Sequence, residues 1–92
     1  MFRLHNDPTP FEQKVYEIKA MIAASFGVEV DDIRYNVSDV VFAVDVETTR
    51  LDRVVTLVDQ MPCDVMQVYI APSGYTNFTV TFHCKEGDIP SW

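Results

Sequence analysis

A histidine and a cysteine stand side by side near the end of the chain, in the stretch FTVTFHCK at positions 78–85. An imidazole beside a thiol could ligate a metal ion or form a reactive thiolate with its base. Neighbouring side chains of a β-strand, however, point to opposite faces of the sheet. We therefore expect Cys84 to be buried on the apolar face and His83 to lie on the polar face with the threonines of this strand.

A second cysteine, Cys63, precedes the strand predicted at 64–70. Simple alternation places Cys63 on the same face as His83, where the two could make contact, and His5 could join them if the N-terminal arm folded back. A structural zinc site requires four ligands, so we predict no metal ion and no cofactor. The same alternation puts Cys63 and Cys84 on opposite faces, and we predict no disulfide between them.

Two carboxylates, Asp45 and Glu47, stand two residues apart in a predicted strand and should project from the same face. Together with His83 they could perform acid–base chemistry. Solvated charges on an exposed face are the commoner explanation. The chain has no glycine-rich phosphate loop, no G-x-S-x-G and no H-E-x-x-H. We therefore predict that the protein is not an enzyme.

Two helices are predicted to position these residues. The first covers TPFEQKVYEIKAMIAASFG, with Thr9 as N-cap, Glu12 completing a capping box and Gly27 ending the helix. Its apolar stripe consists of Phe11, Val15, Ile18, Ile22 and Phe26. The second covers TRLDRVVTLVDQMP and begins at Thr49. Its buried stripe is predicted to consist of Leu51, Val54, Val55, Val58 and Met61.

Four strands are predicted from alternation with a period of two, at 33–37, 40–47, 64–70 and 76–84. A tight turn at Ser38 and Asp39 joins the first two strands. The loop APSGYTN joins the last two and should bring Ile70 roughly opposite Phe78. In the third strand, Met66, Val68 and Ile70 are predicted to share one face, and Val65, Gln67 and Tyr69 the other.

The element order αββαββ predicts an α+β two-layer sandwich, in which a four-stranded, antiparallel-rich sheet carries both helices on one face. Moving the first helix and strand to the end gives β-α-β-β-α-β, which resembles the ferredoxin-like pattern. We therefore predict a circularly permuted ferredoxin-like fold with central strands 40–47 and 76–84. The resemblance concerns architecture, not the motifs of any family. We expect one domain over 1–92, with short arms at 1–8 and 86–92.

Charge and hydropathy exclude several classes of partner. The net charge is −7, from 14 acidic and 7 basic residues, which opposes binding to nucleic acids and to anionic membranes. No stretch approaches the ~18 apolar residues of a membrane span. The segment MFRLHNDPTP lacks an apolar signal-peptide core, so we expect a cytoplasmic protein.

These observations favour a small, non-catalytic protein–protein interaction module or inhibitor, of viral or mobile-element type. Its partner would be a second copy of the chain or a host protein, held by the open sheet face, an edge strand or the terminal arms. The candidate partner-binding residues are Arg34, Asp45, Glu47, Tyr69, Thr79, Thr81, His83 and Trp92.

Two alternatives stay open. The acidic residues at 29, 31, 32, 39, 45, 47, 52, 59 and 64 could mimic nucleic-acid charge and inhibit a basic nucleic-acid-binding protein. The chain could instead be a ligand-binding domain or enzyme that uses His83 with Asp45 and Glu47.

Overall fold

The computed structural model describes residues 9–90. Two helices and four strands follow one another in the predicted order αββαββ. They are α1 (Pro10–Phe26), β1 (Arg34–Asn36), β2 (Val41–Glu47), α2 (Val54–Gln60), β3 (Val65–Pro72) and β4 (Asn77–Cys84). Single 3-10 segments, Val30–Asp32 and Thr48–Arg53, precede β1 and α2. No helix within the described range is both long and apolar enough to cross a membrane.

Helix α1 begins and ends where its sequence signals predict. The backbone N–H of Glu12 donates to Thr9 Oγ1 (3.1 Å), and the backbone N–H of Thr9 donates to Glu12 Oε1 (2.9 Å). Gly27 ends the helix in the left-handed conformation, at φ 68°. The predicted stripe is confirmed, since its last three members are buried and Phe11 and Val15 pack against the core.

Helix α2 differs from its prediction at the start and on one face. The segment Thr48–Arg53 is a 3-10 helix without a side-chain cap, so Thr49 does not begin an α-helix. Val55 is 73% exposed, whereas Leu57 is buried. A helical turn places residues three or four apart on one face, so Leu57 follows Val54 into the core and Val55 points away from it.

The sheet has the strand order β1-β2-β4-β3, and every neighbouring pair is antiparallel. The central strands β2 and β4 and the edge strands β1 and β3 are those predicted. Because β2 and β3 both pair antiparallel with β4, they run parallel to each other with β4 between them. This is the split β-α-β arrangement of the predicted sandwich. That a circular permutation produced it stays a prediction.

One hydrophobic core joins the helices to a single face of the sheet. From the central strands it receives Phe42, Val44, Val46, Val80, Phe82 and Cys84. The side chains that alternate with these lie on the opposite face, which we call the open face. The parity predicted for β4 is therefore confirmed: Cys84 is 1% exposed and in the core, and His83 lies on the open face.

Strand β3 contains a bulge that the sequence does not reveal. Val65 pairs with Cys84 and Gln67 pairs with His83, so the extra residue is Met66, which is 61% exposed. A bulge reverses the parity of every residue that precedes it. The predicted face of Val65 was therefore wrong, because Val65 packs against the core. The predicted hairpin register also differs by two residues, since Ile70 pairs with Val80 rather than Phe78.

Candidate interaction surface

The candidate residues that the structure describes all lie on the open face. Arg34 comes from β1, the two carboxylates from β2, Tyr69 from β3, and the remaining three from β4. Strand register places Thr81 between Ala43 and Tyr69, and places Arg34 beside Ala43. Arg34 and Tyr69 therefore stand at opposite ends of one row across the sheet. Trp92 lies outside the described residues.

Asp45 is the centre of a polar cluster on this face. Thr79 Oγ1 donates a hydrogen bond to Asp45 Oδ1 (2.6 Å), and Arg34 Nη2 lies 3.6 Å from the same oxygen. The hydrogen bond from Thr79 lowers the pKa of the Asp45 carboxyl; burial opposes this shift, and the nearby guanidinium of Arg34 adds to it. All three groups connect neighbouring strands, so the cluster joins β1, β2 and β4 on their open side.

His83 is not close to this cluster. It pairs with Val41, whereas Asp45 pairs with Thr79, four residues further along the sheet. Four residues of a strand span about 13 Å, so His83 and Asp45 do not share a proton. Glu47 lies two residues further away. Among residues 9–90 there is no group of three or more His, Cys, Asp or Glu side chains that could hold a metal ion.

A hollow of about 490 Å³ borders His83 at the end of the sheet where β1 turns into β2. Its described lining includes two carboxylates, Asp39 and Glu86, and no lysine or arginine. The two carboxylates would therefore repel an anionic ligand. The lining residues are Ser38, Asp39, Val40, Val41, His83, Cys84 and Glu86.

Within residues 9–90 no strand pairs with the outer side of β3, and we call this long, uncharged side the β3 edge. The strand has eight residues and none of them is Asp, Glu, Lys or Arg. Three of its large apolar side chains are exposed to solvent: Met66 is 61%, Tyr69 54% and Ile70 47% exposed. An exposed edge strand of this kind is a template for pairing with another strand.

Backbone geometry identifies the groups that this edge offers. Beyond the strand's last residue, Ser73 N–H donates to the carbonyl of Asn77 (3.0 Å). Hydrogen-bonding direction alternates along an antiparallel strand, so Val68 and Ile70 direct their N–H and C=O groups to the free side. Pro72 takes the next such position, where the absence of an N–H costs no bond to β4.

The opposite edge of the sheet is protected. Strand β1 has three residues, and two of them, Arg34 and Asn36, are polar and exposed. Short length and charge are the usual means by which proteins prevent edge pairing. Sequence reasoning identified both edges but did not distinguish them. The signal that does is the absence of charge in the twenty residues from Val65 to Cys84.

The two cysteines lie together, which corrects two sequence predictions. Cys63 Sγ is 3.3 Å from Cys84 Sγ, and both are free thiols. The prediction that they face opposite ways was wrong, because the bulge at Met66 reverses the parity on which it relied. For the same reason Cys63 turns toward Cys84 rather than toward His83. His5 lies outside the described residues.

The segment after β4 packs back onto the domain. Ile89 is 9% exposed and belongs to the core, and the backbone N–H of Asp64 donates to Asp88 Oδ2 (2.7 Å). Ile89 therefore caps the core and is not available to a partner.

Comparisons with protein-family models, with curated proteins and with solved structures found no match to this chain. Its function has to be inferred from the arrangement of its own residues.

Proposed function

We propose that this chain is a non-catalytic protein–protein interaction module that pairs with a second copy of itself through the β3 edge. The observation that carries the proposal is that β3 is an edge strand that is long, uncharged and lined with exposed apolar side chains. The cluster around Asp45 is polar and the core is buried, so neither offers exposed apolar surface to a partner.

Charge favours a second copy over a charged partner. The whole chain carries a net charge of −7, so two copies repel each other at most approaches. The hairpin from Val65 to Cys84 contains no Asp, Glu, Lys or Arg. An edge-to-edge approach through β3 therefore brings no like charges into contact, whereas an approach through the exposed carboxylates on the open face would.

Antiparallel pairing of β3 with its copy satisfies the symmetry of a dimer. A twofold axis across the β3 edge presents the same surface from each subunit. The free N–H and C=O groups of Val68 and Ile70 then find partners, and two four-stranded sheets become one sheet of eight strands. Tyr69 on the open face and Ile70 on the core side would be covered by the second copy.

Sedimentation velocity over a concentration series tests the proposal. The disrupting variant is Ile70→Lys, which places a charge on the β3 edge of each copy. The matched control is Val55→Lys, which makes the same kind of change at a residue that is 73% exposed on α2. We expect the wild type and the control to dimerise and Ile70→Lys to stay monomeric.

A wild type that is monomeric at every concentration would contradict self-association. Dissociation of Val55→Lys but not Ile70→Lys would move the interface to the helical layer. If the wild type is monomeric yet captures another protein in an Ile70-dependent manner, the occupant of the edge is a strand of a different partner.

Mimicry of nucleic-acid charge is the second candidate function. It is favoured by one observation: all nine acidic residues from position 29 to position 64 are exposed. Binding to a basic nuclease or DNA-binding protein should then weaken steeply as salt rises. A salt-insensitive complex would exclude mimicry. We also propose that the protein is cytoplasmic and of viral or mobile-element origin.

A further inference from the structure

We infer that Cys63 and Cys84 form a dithiol site that is oxidised reversibly to an intramolecular disulfide by small disulfides such as oxidised glutathione. The site does not depend on the β3 edge or on self-association. Its two sulfurs belong to different parts of the fold, since Cys63 lies between α2 and β3 and Cys84 is the last residue of β4.

The contact between the sulfurs is the first step of the argument. They lie 3.3 Å apart, and a disulfide bond is about 2.05 Å long. Bond formation therefore needs the sulfurs to approach by about 1.3 Å. The loop that holds Cys63 immediately precedes Val65, which pairs with Cys84. The backbone thus keeps the two residues adjacent while the side chain of Cys63 turns.

Burial divides the roles of the two thiols. Cys84 is 1% exposed, whereas Cys63 is partly exposed, so a reagent in solution reaches Cys63 first. A thiolate at Cys63 is also better solvated than one at Cys84. Cys63 is therefore the attacking sulfur and Cys84 the resolving sulfur.

Hydrogen bonding supports this division. In the neutral pair one thiol donates to the other; once Cys63 ionises, Cys84 keeps its proton and donates it to the thiolate. This hydrogen bond lowers the pKa of Cys63, against burial and the charge of Asp88. The same bond, together with burial, raises the pKa of Cys84.

The reaction is two successive thiol–disulfide exchanges. The Cys63 thiolate attacks one sulfur of oxidised glutathione, forms a mixed disulfide and releases one glutathione thiolate, which takes up a proton from water. Cys84 then loses its proton to water and attacks Cys63 Sγ, which breaks the mixed disulfide and releases the second glutathione as a thiolate that takes up a proton from water. Two protein thiols are oxidised, and one disulfide is reduced to two thiols.

Folding should favour the protein disulfide. The residues are 21 apart in the chain, and folding already brings their sulfurs into contact. Because coupling between folding and bond formation is reciprocal, the bond should form about 200-fold more favourably in the folded chain than in the unfolded one, by the loop-closure argument.

Equilibration in glutathione buffers of graded ratio tests the inference. Each sample is quenched in acid, alkylated and weighed by intact mass spectrometry, with and without guanidinium chloride during equilibration. We expect the folded wild type to lose two hydrogens and carry no glutathione, at a ratio at which the unfolded chain still has free thiols.

Two variants test which sulfur attacks and which resolves. Cys84→Ala should accumulate one glutathione on Cys63, and Cys63→Ala should stay reduced because its remaining thiol is buried. Any of three results for the folded wild type would overturn the inference. It could carry two glutathiones, form disulfides only between chains, or oxidise no more readily than the unfolded chain. Equal reactivity of the two variants would overturn the assigned roles.

Discussion

Oxidation of the thiol pair should stabilise the folded protein by an amount that the structure allows us to calculate. A Cys63–Cys84 bond closes a loop whose ends are 21 residues apart and which contains β3, β4 and the hairpin between them. The entropy that such a loop removes from the unfolded chain corresponds to about 3 kcal/mol at 25 °C. For a domain of this size, that is a rise of roughly 12–24 °C in the unfolding midpoint.

Thermal and guanidinium unfolding of reduced and oxidised protein measures this difference. Cys63→Ser, taken through the same oxidation, is the control, since it lacks the attacking sulfur and should unfold identically under both conditions. The oxidised wild type should also show a smaller dependence of unfolding free energy on denaturant, because its unfolded state is more compact. An unchanged or lower midpoint after complete oxidation would refute the reasoning, since it would mean that the bond strains the fold by as much as it restricts the unfolded chain.

Two further substitutions test local features of the fold. Gly27→Ala should cost about 1–2 kcal/mol in unfolding free energy, because alanine is disfavoured at φ 68° and its Cβ would lie 2.8 Å from Arg50 Nη1; chemical denaturation measures it. Thr79→Val should cost about 0.5 kcal/mol at neutral pH, since it removes the hydrogen bond to Asp45, whose side chain is 53% exposed. The lowered pKa of Asp45 gives stability above its ordinary value of 3.8 that is lost as pH falls through the folded pKa, so the cost should disappear in acid. A cost from Thr79→Val that is the same at all pH values would contradict this account.

Helix α1 and the alternation of β2 and β4 could be predicted because their signals are local. The capping box joins Thr9 and Glu12 within the first turn of the helix, and Gly27 ends the helix through its own left-handed conformation. In β4, every second residue is apolar, so its faces follow from the sequence alone. Local signals of this kind do not depend on the rest of the fold.

The thiol pair could not be predicted because it depends on a bulge. Met66 could have continued the alternation of its strand, and nothing in its neighbours shows that it becomes the extra residue. One inserted residue reverses parity, and it brought Cys63 from the open face to the side of Cys84. The distance between His83 and Asp45 could not be predicted for a related reason. It depends on the register between β2 and β4, which the tertiary fold determines.

The difference between the β1 and β3 edges could be predicted in part from the sequence. The lack of charge from Val65 to Cys84 is visible in the sequence. Its significance depends on the edge position of β3, which the sequence predicted and the strand order confirms. The exposure of Ile70 was also unexpected, because Ile70 lies on the core side of the sheet and is still 47% exposed.

Residue-resolved hydrogen–deuterium exchange at several protein concentrations tests self-association through the β3 edge most directly. The amides of Val68 and Ile70 should exchange quickly in dilute protein and slow down as the concentration rises, because a second copy then accepts their hydrogen bonds. Those of Gln67 and Tyr69, which are directed at β4, should exchange slowly throughout. Exchange at Val68 and Ile70 that does not depend on concentration would contradict the account.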